Sequence, residues 1–146
     1  MRANEILSRL NPFRSLETVS AHCDIPCGVY DPEQARIEAE SCKKIIGKYH
    51  DSDDEVFRAR CIHVKEERAE LAKHHIDVLW SDWYKPDKMG EEHHETFNQA
   101  VKACSDVKRS MDASDADRLL ELIDQIDELW KSNNGPSETR VNGRPG

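Results

Sequence analysis

The stretch DEVFRARCIHVKEERAELAKHHIDVLWSDW, residues 54–83, decides the fold, because it carries the longest helical pattern in the chain. Its inward positions recur at alternating steps of three and four residues, which is the spacing of one face of an α-helix. Pro86 and Gly90 mark the break after this helix. The predicted inward face is made of Phe57, Cys61, Val64, Arg68, Leu71, His75 and Val78.

Similar patterns on both sides predict three more helices. Asp31 is an N-cap acid and Pro32 occupies the first helical position, so a helix begins there. Ser114 is predicted to cap the last helix, which stops before Gly135 and Pro136. The four helices are expected at residues 32–50, 54–83, 91–111 and 114–133.

The four predicted helices are amphipathic and are joined by short polar connections. They can bury their apolar faces most simply against one another, which predicts an all-α fold, an up-down four-helix bundle. A chain of 146 residues suits one such domain with one modest core. Cys42, Cys61 and Cys104 each lie on the inward face of a different helix and are expected to be core residues.

The composition limits the partners of this chain. Lys and Arg number 21 and Asp and Glu number 29, for a formal net charge of -8. Nucleic acid is therefore not expected as a partner, since phosphate binding needs a basic footprint. No apolar run approaches the roughly 20 residues of a membrane span, so a membrane is not expected as a partner either.

Residues 1–21 are predicted to be a cleaved leader. Val19 and Ala21 are small residues of the kind that precede a secretory cleavage site, but charges interrupt every candidate apolar stretch, which disfavours an export signal. We therefore expect a processed leader on a cytoplasmic protein, and a disordered tail at residues 136–146. The interrupting charges are Arg2, Glu5, Arg9, Arg14 and Glu17.

The segment HCDIPCGVYDP, residues 22–32, lies in a loop ahead of the first helix and carries the candidate chemistry. Cys23 and Cys27 stand four residues apart beside His22. Soft thiolates suit zinc, copper(I), iron–sulfur clusters and nickel, but the Cys-x3-Cys spacing differs from the Cys-x2-Cys of zinc knuckles. Five cysteines without an export signal disfavour a disulfide framework, which leaves metal binding or core packing as their roles.

Residues His22 to Tyr30 resemble the His-Cys-Asp-x-Pro-Cys-Gly-x-Tyr hook of the nickel superoxide dismutase family. The resemblance extends to residues 35–41 and to residues 64–75 and 78–82, which look like the first and second helices of that family. It covers roughly residues 22 to 86, whereas the third and fourth helices match only in pattern. Seven defined positions in a nine-residue hook make a specific motif.

The resemblance implies a set of nickel ligands and an activity. A maturation protease would cut before His22, and nickel would be held by the new α-amine, the backbone nitrogen of Cys23 and the thiolates of Cys23 and Cys27. The His22 imidazole would add axially in the oxidised state. The metal would alternate between Ni(II) and Ni(III) while superoxide becomes dioxygen and hydrogen peroxide, and anionic amide and thiolate donors favour the higher oxidation state. The family also implies a homohexamer.

Two charged residues, Glu38 and Arg68, fall on predicted inward faces of the first and second helices. From the residues alone, they pair with each other or extend to solvent. The resemblance implies a more specific role, in which they orient the axial imidazole of His22 through hydrogen bonds.

Three further residues are implied to flank the path to the metal: Asp24 and Tyr30 in the hook, and Lys85 at the channel entrance. A cation there would attract the superoxide anion towards a net acidic protein. The other interpretation of Lys85 is a solvated lysine in a loop. Trp83 and Tyr84 depart from the Tyr-Phe pair that is commoner in the family, so the contacts at the entrance are not predicted.

Two other functions fit the residues less well. A small metal carrier would use Cys23 and Cys27 to pass on a metal, but it would not need Glu38 and Arg68 on inward faces. A helical interaction protein, whose loop cysteines are incidental, would not need the His-Cys sequence at residue 22.

Overall fold

The computed structural model describes residues 28–134, and these residues form helices without any β-strand. This confirms the all-α prediction. A π-helical turn, Leu79–Trp83, continues directly from the second helix. Within residues 28–134 the five α-helices are α1 (Glu33–His50), α2 (Glu55–Val78), α3 (Pro86–Met89), α4 (His93–Arg109) and α5 (Ala113–Asn134).

The four long helices pack in a closed ring, in which α1 contacts α2, α2 contacts α4, α4 contacts α5, and α5 contacts α1. Short connections make consecutive long helices antiparallel, as in an up-down bundle. One apolar core fills the ring, and its large side chains come from all four helices. Within the described part of the chain, no helix is long and apolar enough to cross a membrane.

The helix bounds differ from the predicted ones in two places. The predicted helix 54–83 is in fact α2 followed by the π turn, where the Tyr84 amide donates to the Leu79 carbonyl at 2.8 Å. The predicted break at Pro86 contains the short helix α3, since proline is well suited to a first helical turn. The leader, the hook as far as Cys27 and the tail from Gly135 lie outside the described residues.

Asp residues provide the observed helix caps. The Asp54 carboxylate accepts hydrogen bonds from the amides of Val56 and Phe57 at the start of α2. At the start of α5, Asp112 accepts from the Ser114 amide at 2.9 Å. Ser114 itself lies inside α5, so the prediction that it caps this helix was wrong.

The inward faces of α1 and α2 are rotated slightly from the predicted ones. Phe57 and Val64 are 37% and 36% exposed, although both were predicted to face the core. Small residues allow the two helices to approach closely, so the contact centres on alanines rather than on the larger apolar side chains. The buried residues are Ala35, Arg36, Ala39, Cys42 and Ile46 on α1, and Cys61, Lys65, Ala69, Ala72, Ile76 and Val78 on α2.

Lys65 is a fully buried lysine that the sequence analysis did not anticipate. Its ammonium donates to the carbonyls of Lys108 at 2.9 Å and Ser110 at 2.5 Å, at the C-terminal end of α4. The Lys108 carbonyl is one of the last four of α4, which have no partner within the helix, and Ser110 directly follows the helix, so the lysine satisfies both carbonyls. Burial lowers the pKa of Lys65, while the charge of nearby Glu66 opposes that shift.

Candidate metal centre

The predicted nickel ligands His22, Cys23 and Cys27, together with Asp24, lie outside the described residues, which begin at Gly28. Within residues 28–134, no group of three or more His, Cys, Asp or Glu side chains could hold a metal ion.

Gly28 has a φ of 69°, which lies in the left-handed region that L side chains rarely adopt. A Cβ atom added at this position would meet no atom within 4 Å. The glycine is therefore required by the backbone conformation and not by lack of space. The Gly position of the hook motif thus has a physical reason in this chain, just before the first helix of the bundle.

Tyr30 connects the hook to the bundle. It is half-buried and packs against the apolar core, and its carbonyl accepts a hydrogen bond from the indole N–H of Trp130 at 2.8 Å. Asp31 follows, and its carboxylate accepts from the Glu33 amide at 2.8 Å, which begins α1. The main chain that leaves the hook is thus attached to α5 before it enters α1.

Arg36 makes a second attachment between α1 and α5. It is buried, and its Nη2 lies 2.5 Å from Asp124 Oδ1 and 4.0 Å from Asp127 Oδ2. These contacts are ion pairs and not aligned hydrogen bonds, since Nη2 has no hydrogen-bond partner of good geometry among the described residues. Lys131 also pairs with Asp127 at 2.9 Å. This cluster was not predicted from the sequence, although the three-residue spacing of Asp124 and Asp127 puts both on one face of α5.

Glu38 and Arg68 are brought together, with Arg68 Nη1 lying 3.2 Å from Glu38 Oε2. The pair joins α1 to α2 at the edge of the bundle, because the two side chains are 15% and 35% exposed. The expectation that they occupy inward positions is therefore corrected: the rotated faces place them beside the core. The Nε atom of Arg68 is buried and has no hydrogen-bond partner within residues 28–134. This donor is available to a group from elsewhere.

Lys85 is exposed and follows the π turn, and its ammonium donates to the Asp82 carbonyl at 2.8 Å. The neighbouring Trp83 and Tyr84 are both buried. The Tyr84 hydroxyl donates to the Gly90 carbonyl, and burial raises the pKa of this phenol, with the charges of Glu91 and Glu92 adding to the effect. These bonds anchor the turn that presents Lys85.

His94 belongs to an aromatic cluster behind this turn. The Trp80 indole N–H donates to His94 Nδ1 at 2.9 Å, and the rings of Tyr84 and His94 meet edge to face. Trp80 also stacks on Phe97. His94 therefore has a packing role.

Comparisons with known proteins identify the family. Residues 17–134 match the family described as nickel-containing superoxide dismutase. The chain is 53% identical to "Superoxide dismutase [Ni]" of Streptomyces seoulensis and 50% identical to that of Streptomyces coelicolor. Each alignment covers 86% of this chain and 95% of the relative.

Solved structures lead to the same family. A native nickel superoxide dismutase structure matches with a TM-score of 0.75 and 47% identity, over 78% of this chain and 100% of that chain. A crystal structure whose nickel ligation corresponds to the oxidised state matches with a TM-score of 0.73 and 51% identity, over the same shares. These shared folds and identities extend across the bundle and agree with the motif at residues 22–30. The chain belongs to the nickel-containing superoxide dismutase family.

Proposed function

We propose that this chain converts superoxide to dioxygen and hydrogen peroxide at a nickel ion held by residues His22, Cys23 and Cys27. Two superoxide anions and two protons give one dioxygen and one hydrogen peroxide, so one superoxide is oxidised and the other reduced. Membership of the family, with about half of the residues identical over most of the chain, is the observation that carries the proposal.

The donor atoms of the hook fit nickel. We propose that the α-amine and the imidazole of His22, the backbone nitrogen of Cys23 and the thiolates of Cys23 and Cys27 would hold the metal. Nitrogen and sulfur donors suit nickel(II), and the anionic ones would stabilise nickel(III). Bound nickel supplies one-electron redox chemistry by alternating between these two states. An α-amine, with a reference pKa of about 8, is available to a metal at neutral pH.

The buried Nε of Arg68 supports a role for the Glu38–Arg68 pair beside the hook. A buried donor without a partner is costly, so a group from outside the described residues is expected to accept its hydrogen bond. We propose that this pair orients the imidazole of His22. The ion pair holds the guanidinium in place, and an oriented guanidinium restricts the imidazole to one position.

Three further side chains are proposed to control the approach of superoxide. Asp24 and Tyr30 would border the path to the metal, and Lys85 would attract the anion to its entrance. The position of Lys85 supports this role, because its ammonium is exposed and is held by the Asp82 carbonyl. The attraction is local, since the chain as a whole carries a net charge of -8.

We further propose that the mature protein begins at His22, after a protease removes residues 1–21 in the cytoplasm, and that it assembles into a homohexamer. Exposed apolar side chains on the first two helices support self-association, because water disfavours such surfaces on a monomer. The proposed contact residues are Ile37, Val56, Phe57, Ile62 and Val64. Light scattering of the purified mature protein tests the subunit number, and a monomeric mass would contradict the assembly.

The decisive experiment compares mature protein that begins at His22 with the same protein carrying one extra Ala before His22. The extension moves the free amine by one residue and disrupts its chelate with the Cys23 nitrogen. We expect superoxide consumption to collapse in the extended protein, even where the thiolates still bind nickel. Full activity of the extended form would contradict the amine ligand and would favour the metal carrier.

Metal analysis of both preparations separates the alternatives. A dismutase contains nickel and consumes superoxide, a carrier contains metal without turnover, and an interaction protein has neither. Mass spectrometry of the active protein should show His22 as its first residue, and an active protein that retains residues 1–21 would contradict the proposed maturation.

A further inference from the structure

We propose that Trp130, on α5, is a positioning residue for the metal hook: it holds the main chain at Tyr30 and so sets where residues 22–27 leave the bundle. This inference rests on the proposed function, because it requires the metal to be held by the segment just ahead of Tyr30. Trp130 is proposed to act through its hydrogen bond to the main chain at Tyr30.

The contact itself is well suited to this role. The indole N–H of Trp130 lies 2.8 Å from the Tyr30 carbonyl oxygen, and 100 residues separate the two in sequence. The indole is a donor only, so its partner must be an acceptor. Trp130 is 5% exposed and belongs to the apolar core, which fixes the ring and therefore the direction of its N–H.

Tyr30 is close in sequence to the proposed ligand Cys27, so a restraint on the main chain at Tyr30 also limits the positions that Cys27 can reach. Cys27 precedes Tyr30 by three residues, and an extended chain covers about 3.3 to 3.6 Å per residue, so the two lie within roughly 11 Å of each other. A metal centre needs its ligands placed within about 0.5 Å. Without this hydrogen bond, the main chain at Tyr30 would lose its bond to α5.

A second contact with α5 restricts the direction of the main chain at Tyr30 as well as its position. Arg36, one turn into α1, pairs with Asp124 at 2.5 Å on the same helix that carries Trp130. Asp124 and Trp130 are six residues apart, which corresponds to about 9 Å along a helix. Because α5 holds the chain on both sides of Asp31, the junction cannot pivot about a single contact. We therefore expect α5 to fix both the position and the direction of residues 28–31, which connect the hook to α1.

The test compares Trp130→Phe with Trp80→Phe in mature protein prepared with and without nickel. Both substitutions keep an aromatic ring and remove an indole donor, since Trp80 donates to His94 Nδ1 at 2.9 Å. Only Trp130→Phe removes a hydrogen bond to the Tyr30 main chain. The measurements are the thermal midpoint, nickel affinity by chelator competition, the electron paramagnetic resonance spectrum of the oxidised metal, and hydrogen exchange of residues 28–32.

We expect Trp130→Phe to speed hydrogen exchange at residues 28–32 in the metal-free protein, to weaken nickel binding about tenfold, and to alter the spectrum. Trp80→Phe should lower the thermal midpoint by a similar amount and change none of these three. Equal effects of the two substitutions on exchange, affinity and spectrum would overturn the inference, because Trp130 would then be an ordinary core residue.

A second replacement keeps the test valid if Trp130→Phe folds poorly. The tryptophan analogue in which sulfur replaces the indole N–H, incorporated at position 130, preserves the ring shape and removes only the donor. Faster exchange at residues 28–32 in this protein supports the inference, and unchanged exchange overturns it. If Cys23→Ser leaves nickel binding unchanged, the proposed function fails, whereas exchange in metal-free protein still decides whether Trp130 holds the segment.

Discussion

The cysteines of this chain lie in two regions with opposite chemical requirements. Cys42 and Cys104 are fully buried in the bundle core, and burial is the main cause that raises the pKa of each thiol to about 12. Such thiols stay protonated at neutral pH and are poor metal ligands. Cys23 and Cys27, in the proposed hook, must instead be thiolates. The comparison teaches that the environment of a cysteine, and not its residue type, separates metal chemistry from packing.

Among substitutions of the cysteines, those in the hook are expected to have the largest effect. Cys23→Ser and Cys27→Ser should each abolish nickel retention and superoxide consumption, because one lost thiolate weakens both the affinity and the redox tuning of the site. The measurements are nickel per subunit and the rate of superoxide loss. Cys42→Ala is the matched control and should keep its nickel. Equal nickel loss in all three variants would contradict the division between the two regions.

The next largest effect is expected on stability in the core. Cys42→Ala and Cys104→Ala should each lower the free energy of unfolding by about 1 to 3 kcal/mol, since each leaves a small cavity in a fully buried site. Urea unfolding of the metal-free mature protein measures this. An unchanged unfolding midpoint in both variants would show that the core collapses around the smaller side chain without cost.

The raised thiol pKa values predict a loss of stability in alkali. An unfolded thiol ionises near pH 9, whereas Cys42 and Cys104 remain protonated in the folded state up to about pH 12. The unfolded state therefore binds fewer protons above pH 9, and folded stability falls as pH rises. Each thiol should account for about 1 to 2 kcal/mol by pH 10. Unfolding curves at pH 8, 9 and 10 should be less pH-dependent in Cys42→Ala, and parallel pH profiles would contradict this.

The smallest effect is expected at Cys61. This thiol is buried, but it lies outside the main apolar cluster that contains Cys42 and Cys104. Fewer core contacts are lost on its truncation, so Cys61→Ala should cost less than about 1 kcal/mol. Urea unfolding should rank it below the other two core variants. A cost equal to that of Cys42→Ala would show that burial alone, and not membership of the core cluster, determines the penalty.

Helix content was predictable because hydrophobic periodicity is a local signal. The long helices were expected within a few residues of their observed bounds, and Leu119, Leu122, Ile126 and Leu129 of α5 are all buried as their spacing indicates. The register of α2 was predicted less well. The positions of Phe57 and Val64 predicted that their face of α2 would be buried. In the structure, the adjacent face, which contains Ala69 and Ala72, is buried instead. Lys65 is also buried, and its ammonium donates to a carbonyl at the end of α4.

The candidate site was predictable only where neighbouring residues carry its signal. The hook motif at residues 22–30 is continuous, so it could be recognised and its ligands proposed, and those ligands remain predictions. The contact between Glu38 and Arg68 was one of two alternatives until the structure placed the groups 3.2 Å apart. The aromatic cluster around His94 gave no sequence signal, because its members come together through the π turn and α4.

The sequence by itself determined the helical class, the core role of the three bundle cysteines and the motif that relates the chain to nickel superoxide dismutases. Each of these depends on residues close together in the chain. Only the tertiary structure decided that Trp130 bonds to Tyr30 and that Arg36 pairs with Asp124, so that the last helix contacts the chain on both sides of Asp31. Such contacts join residues far apart in sequence, and the packing of α5 against α1, which local spacing does not encode, brings them together.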